Sequence, residues 1–206
     1  AATDPRVIHQ AENLTWMTEE YPPFNFVDAN RHLRGISVDI LMEMFKRLEI
    51  QVAPRQIGVY PWARSYKKLL TEPGTGLFSM NYTKRRQQLF KFVGPIVPVR
   101  VSVISLKSRG LAIKDIAGLR QLTYAVVRED IGEQLLNDLG IAPVQIVPLH
   151  SAQSMLRFLL MGRVDAIAYA EDVAHYQFSE AGIPQQRYEV LHVLQDSHIG
   201  YAFHRD

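Results

Sequence analysis

The sequence predicts an α/β protein of two lobes, each a mostly parallel sheet flanked by helices. Three observations carry this. Candidate strands and helices alternate along almost the whole chain, the pattern of parallel sheets joined by helical crossovers. The alternation comes in two batches, on either side of a long valine-rich run at 96–106, which gives lobes of about 95 residues, a usual domain size. Polar loops at 18–24, 79–86, 128–132 and 170–172 each follow a candidate strand, and open α/β sheets take their ligands at such strand ends. The expected boundaries are 1–98 for lobe one and 99–198 for lobe two, with 199–206 crossing back toward lobe one.

Each element has a local reason. Residues 14–18 form a short apolar strand feeding the turn Tyr21-Pro22-Pro23-Phe24. Gly35 precedes a helix over 37–48, where Ile36, Ile40, Leu41, Met44, Phe45 and Leu48 recur at helical spacing. A strand is expected at 51–57. A helix over 62–71 follows, ended by Glu72-Pro73-Gly74, then a short strand at 76–80. Thr83 caps a short helix, which leads into a strand start and a stop at Gly94-Pro95. The 96–106 run is a long strand and 115–118 a single helical turn. Further strands are expected at 122–127, 144–147, 164–169 and 188–194. Between them lie helices at 131–139 (closed by Gly140), from the Ser151 cap through Met161 (stopped by Gly162), and at 172–180 (stopped by Gly182). A last extended run covers 199–203.

Composition narrows the function classes. The 206 residues are 47% hydrophobic and 21% charged, which suits a packed core. Net charge is +2, from 23 basic and 21 acidic residues that are scattered apart from one cluster, so no basic stripe points to nucleic acid. Cysteine is absent, which removes disulfides and thiolate chemistry and suits a cytosolic or a periplasmic protein alike. No run of 18 apolar residues would span a membrane. The start, Ala1-Ala2-Thr3-Asp4-Pro5, is small and polar, as expected of an exported chain whose signal peptide has been cut. The seven histidines show no ligand spacing, and neither a metal nor another cofactor is expected.

The one basic cluster is the most informative stretch. Lys84, Arg85 and Arg86 occupy the first turn of the helix capped by Thr83, where the macrodipole favours anions. A local rule broken without structural return often marks a functional site. Helix-start N–H groups and a guanidinium together make a carboxylate receptor. A solvated cationic face is the alternative, the more so for Lys84 and Arg85.

The chain resembles the type II periplasmic solute-binding proteins, in the branch that binds polar amino acids and serves ABC importers. The resemblance covers almost the whole chain. Tyr21-Pro22-Pro23-Phe24, Gly35-Ile36-Ser37-Val38-Asp39-Ile40-Leu41, Thr83-Lys84-Arg85-Arg86 with Phe92 and Pro95, and Gly162-Arg163-Val164-Asp165-Ala166 carry it. It implies a ligand cleft between two lobes, with Arg86 clamping the ligand's α-carboxylate and Tyr21 covering its side. It implies hydrogen bonds from Ser79 and Asn81 and an aromatic lining from Trp62. From lobe two, Tyr169 would line the cleft. Each of these has a plainer reading: a turn brace for Tyr21, core for Trp62, strand-end polar residues for Ser79 and Asn81. Asp39 and Asp165 are read as structural.

Lobe two departs from the family pattern. The aspartate that usually holds the α-ammonium falls at Ala170, with Glu171 next to it, and the usual Gly-Thr-Thr loop reads Glu129-Asp130-Ile131. Asp130 can cap the helix it precedes. Glu171 and Asp172 are either ligand contacts or the acidic start of a helix. The ligand class therefore spans α-amino acids, small carboxylates without an ammonium, and amine-bearing compounds held by Glu171 or Asp130. The resemblance also implies a helical return segment after 206, so lobe one is expected to lack that packing.

Three functions fit. The first is a monomeric periplasmic binder that captures a small carboxylate-bearing solute by hinge closure and hands it to a membrane permease. The second is the ligand-sensing domain of a membrane signalling protein. The third is an enzyme like the cyclohexadienyl dehydratases, whose acid would have to come from Glu19, Glu20, Asp130 or Glu171. No nucleophile–base pair, Gly-x-Ser-x-Gly or phosphate loop is present, and the expectation is a protein that is not an enzyme.

Overall fold

The computed structural model describes residues 2–206. It divides into two compact units: unit 1 runs to Val97 and includes Ile199–Asp206, and unit 2 is Pro98–His198.

In unit 1, helix α1 (Pro5–Asn13) leads into β1 (Thr15–Thr18), a hairpin of β2 (Phe26–Val27) and β3 (Leu33–Arg34), then α2 (Ile36–Leu48), β4 (Gly58–Val59), α3 (Trp62–Thr71), β5 (Thr75–Asn81), α4 (Lys84–Leu89) and the start of β6 (Lys91–Leu106). Strand β1 lies between β4 and β5, parallel to both. The residues from Ile199 to Phe203 lie antiparallel to β5, in register Ile199 with Asn81 and Phe203 with Gly76. The core gathers Trp16, Val38, Leu41, Phe45, Phe78 and Tyr201.

Unit 2 follows with α5 (Ile116–Leu119), β7 (Tyr124–Val127), α6 (Ile131–Asp138), β8 (Ile146–Leu149), α7 (Ala152–Leu160), β9 (Ala166–Ala170), α8 (Glu171–Glu180) and the part of β10 (Tyr188–Phe203) up to His198. Strand β7 is parallel to β8 and β9, and β9 is antiparallel to β6. Val103, Tyr124, Val126, Leu136, Ala166 and Ala168 build its core. The class is α/β, with mostly parallel sheets flanked by helices.

Several expectations are corrected. Helix α1 was not foreseen, although Asp4 and Pro5 announce it: Asp4 accepts the Arg6 N–H at 2.9 Å and Pro5 takes the first helical position, where its missing N–H costs nothing. None of 51–57 is strand; β4 follows it at Gly58–Val59. Pro54 cannot donate to a ladder, and Pro54–Gln56 winds into a 3-10 turn closed by Gln56 Oε1, which accepts the Ala53 N–H at 2.7 Å. Gly94-Pro95 does not stop the chain. Gly94 takes φ +154, which L residues rarely adopt, and β6 continues to Leu106. The expected 144–147 strand sits later, at β8, because Pro143 opens another 3-10 turn. The runs 188–194 and 199–203 are one strand; the polar stretch between them stays extended, with Asp196 paired to Arg100 at 2.9 Å. On α2, Val38, Leu41 and Phe45 are buried, whereas Ile36 and Leu48 face solvent.

Candidate functional site

In unit 1 the candidate residues sit at the ends of β1 and β5 and on the helices that follow. The loop after β1 is strapped by backbone bonds. Tyr21 N–H donates to Asn25 O at 2.7 Å, Asn25 N–H to Tyr21 O at 3.1 Å, and Ser37 N–H to Phe24 O at 2.9 Å. Gly35 makes the last contact possible, since a Cβ there would lie 2.3 Å from Phe24 O. Glu20 ties the loop to the hairpin by accepting the Val27 N–H at 3.0 Å; burial pushes its carboxyl above the usual range, and that bond pulls it back in part. Tyr21 is buried, its ring 5.7 Å from that of Phe24.

The cationic turn resolves into three different fates. Lys84 and Arg85 are exposed. Arg86 is fully buried, its guanidinium 5.6 Å from the Trp62 ring and 5.3 Å from the Tyr66 ring, while Nη1 donates to Asn81 O at 3.3 Å. Aromatic faces attract a guanidinium at this range. Thr83 caps α4 as expected, accepting the Arg86 N–H at 3.1 Å. That bond uses one of the helix-start donors expected to face an anion, and α4 is only 6 residues long. Of the two anion-binding features expected of this turn, the guanidinium and not the helix end is left as the candidate. Trp62 is core, 1% exposed, with its ring set against the Arg86 guanidinium.

Asn81 is buried, and its Oδ1 has no hydrogen-bond partner among the described residues. Ser79 is different. Its hydroxyl bonds Asn25 Oδ1 and lies 2.9 Å from Ser37 Oγ, so its side chain is engaged inside the unit. Tyr66, Asn25 and Ser37 were not singled out from the sequence. The signal for Tyr66 was present: it lies one turn beyond Trp62 on α3, and residues four apart share a helix face.

In unit 2, Asp130 occupies the N-cap position of α6 and is buried, but its side chain makes no capping bond. Instead Glu133 accepts the Glu129 N–H, with Glu129 at φ +62. Burial holds the Glu133 carboxyl above the usual range, partly opposed by that bond. The first turn of α6 rests on β9: a Cβ at Gly132 would fall 2.0 Å from Ala168 O. Tyr169 is buried and lies opposite Ser102. Ser102 donates to Glu171 Oε1 at 2.8 Å, so Glu171, the first residue of α8, is held against β6. Ala170 ends β9 fully buried. Asp165 is structural, as expected. Burial alone would raise its pKa, but bonds from Thr123 N–H and Oγ1 and from the Arg109 guanidinium hold it below the usual carboxylate range.

Solved structures share this fold. A histidine kinase sensor domain with similarity to periplasmic binding proteins is 18% identical, with a TM-score of 0.81 over 95% of this chain and 84% of that one. A substrate-binding protein of a Streptococcus pneumoniae ABC uptake transporter, with bound histidine, is 15% identical, with a TM-score of 0.81 over 98% and 83%. An ancestral amino acid-binding protein, a precursor of cyclohexadienyl dehydratase, is 20% identical, with a TM-score of 0.77 over 97% and 85%. At these identities the likeness is one of fold. No curated protein matches the sequence. The sequence profile of the bacterial extracellular solute-binding proteins, family 3, matches residues 14–139. That span is more than half of the chain, and its helices and strands are those described above: the chain belongs to the bacterial extracellular solute-binding proteins of family 3.

Proposed function

We propose that this solute-binding protein acts in the periplasm, capturing a small carboxylate-bearing solute, an amino acid or a related compound, for an ABC importer. The observation that carries the reading is Arg86. A fully buried guanidinium set against Trp62 and Tyr66 has its orientation fixed by packing, and a fixed planar fork of donors is what bidentate carboxylate recognition requires. Asn81, whose carbonyl accepts from Arg86, ends β5 with its Oδ1 buried, and that oxygen supplies an acceptor for a donor group on the same ligand. Tyr21 and Trp62 are the apolar walls; Tyr169, Asp130 and Glu171 are the contributions from unit 2. The permease is the partner, and the protein works as a monomer.

Thermal shift over amino acids, small carboxylates and polyamines tests this, because a ligand that binds only the folded state raises its melting temperature. At least one amino acid or carboxylate raises it in the wild type, and Arg86→Ala loses that response. A full response in Arg86→Ala would end the clamp reading. If capture proceeds by hinge closure, the same compound shrinks the radius of gyration measured by solution scattering.

The sensor-domain likeness supports a second reading, ligand sensing for a membrane signalling protein. A permease encoded beside the gene favours import; a kinase or cyclase module encoded in the same frame favours sensing. In either role the protein binds and does not transform its ligand. Slow conversion of a bound compound, followed by NMR, would instead place it with the dehydratases.

A further inference from the structure

Four buried polar residues form a network that the carboxylate clamp does not use. Asn25, Ser37, Ser79 and Tyr201 are each 2% exposed or less. They come from four separate elements: the loop after β1, the first turn of α2, the end of β5, and β10. Asn25 Nδ2 donates to Glu19 O at 2.6 Å, and Asn25 Oδ1 accepts from the Ser79 hydroxyl. A serine has a single hydroxyl proton, so the 2.9 Å contact between Ser79 Oγ and Ser37 Oγ is a bond donated by Ser37. Tyr201 Oη donates to Ser37 O at 2.6 Å, and burial raises the Tyr201 phenol well above its usual pKa, so it stays a donor.

Ser79 also stands at φ +61, in the left-handed region that non-glycine residues seldom occupy. Such a conformation persists only where the surroundings over-determine it. Here the Ser79 hydroxyl is held from two sides, two residues before Asn81 on the same strand end. The same Asn25 whose side chain holds Ser79 exchanges both backbone bonds with Tyr21. One side chain therefore joins the Tyr21 loop to the Ser79–Asn81 strand end, and Ser37 passes the connection to Tyr201, a few residues past the point where the chain re-enters unit 1.

We propose that Asn25, Ser37 and Tyr201 are positioning residues: through Ser79 they lock the Tyr21 loop and the Asn81–Arg86 segment into one arrangement, so that the two ligand loops of unit 1 are set together. Their relevance to ligand rests on the clamp reading above; the mechanical coupling does not. Ser79 is then a latch and not a side-chain contact to ligand.

Amide hydrogen exchange on the full chain, without ligand, tests the coupling directly. Asn25→Asp keeps the volume and the acceptor but removes the donor to Glu19 O. It speeds exchange at least about tenfold in both 19–25 and 79–82, and leaves β7 and β9 of unit 2 at wild-type rates. Tyr201→Phe, which removes a single hydroxyl, speeds exchange at 36–38 and 79–82. Ser79→Gly relieves the backbone strain yet loosens the same segments, because the hydroxyl and not the φ angle holds them. Faster exchange confined to the mutated segment, or spread evenly over unit 1, overturns the proposal. So does a Ser79→Gly chain as protected as wild type. In the thermal-shift screen with the twenty L-amino acids, Asn25→Asp keeps the ranking of responses and loses at least half of each shift. A wild type that answers none of the twenty and no small carboxylate counts against the clamp, and the exchange data alone then decide the coupling.

Discussion

The two units carry opposite halves of the candidate chemistry. The unit 1 residues form a fixed cationic centre: one buried guanidinium, two aromatic rings around it, a carbonyl bonded to it, and a buried amide acceptor beside it. The unit 2 residues are acidic and aromatic, and two of its carboxylates are committed to internal bonds, Glu171 to Ser102 and Glu133 to the Glu129 backbone. At the place where the resemblance leads one to expect an ammonium-binding aspartate stands Ala170. On the proposed reading, unit 1 keeps a carboxylate clamp with its partners in place, while unit 2 lacks the expected acid at position 170. On that reading, the carboxylate clamp and the residues that would tell one ligand from another belong to different units.

The comparison can be broken or sharpened by substitution, beginning with the largest effect. Trp62→Ala removes a fully buried ring and costs about 3–5 kcal/mol of stability, seen as a lower denaturant midpoint, and it frees the Arg86 plane as well. Arg86→Lys keeps the charge and discards the fork; by titration calorimetry the Kd of a carboxylate ligand rises about a hundredfold, from the roughly 2–5 kcal/mol attached to a buried, hydrogen-bonded charge pair. Equal affinity with lysine would mean that unit 1 supplies only a charge. Ala170→Asp restores the expected acid in unit 2. An α-amino acid then binds about tenfold tighter and a carboxylate lacking an ammonium binds more weakly, one charge-assisted hydrogen bond being worth about 1.5–3 kcal/mol. Unchanged selectivity would show that position 170 faces no ligand.

Smaller effects mark the scaffold. Asp165 has a folded pKa below its unfolded value, so the stability it contributes is present above the unfolded pKa of about 3.9 and is lost as pH falls through the folded value. Melting curves from pH 6 down to pH 3 therefore fall more steeply in wild type than in Asp165→Asn. Lys84→Ala and Arg85→Ala, at exposed positions, change stability by no more than about 0.5 kcal/mol and leave ligand affinity as it was.

What could be read from the sequence divides along a physical line. The alternation of elements, α3 from Trp62 to Thr71, the Thr83 cap and the Ser151 cap follow from periodicity and capping chemistry, which act over a few residues. Misreadings fell where a proline or a distant partner decides. Pro54 and Pro143 replaced expected strand with 3-10 turns, and the polar run that joins 188–194 to 199–203 stays within β10, where Asp196 meets Arg100, 96 residues away. In the candidate site, the different fates of Lys84, Arg85 and Arg86 are set by tertiary packing against α3, which no helix rule supplies. The Asn25–Ser79 bond joins residues 54 apart and gives neither one a local signature.

Unit 1 is discontinuous along the chain, and this bears on how the protein is made. Ile199–Phe203 completes its sheet against β5, and Tyr201 fills its core beside Phe78 with ring centres 5.6 Å apart. A ribosome working from the N-terminus delivers unit 1 up to Val97 first and then the whole of unit 2 before Ile199–Phe203 is available. The contiguous unit is therefore the one equipped to fold during synthesis. Unit 1, which carries Arg86, has to wait, with Phe78 uncovered by Tyr201, until Ile199–Phe203 emerges.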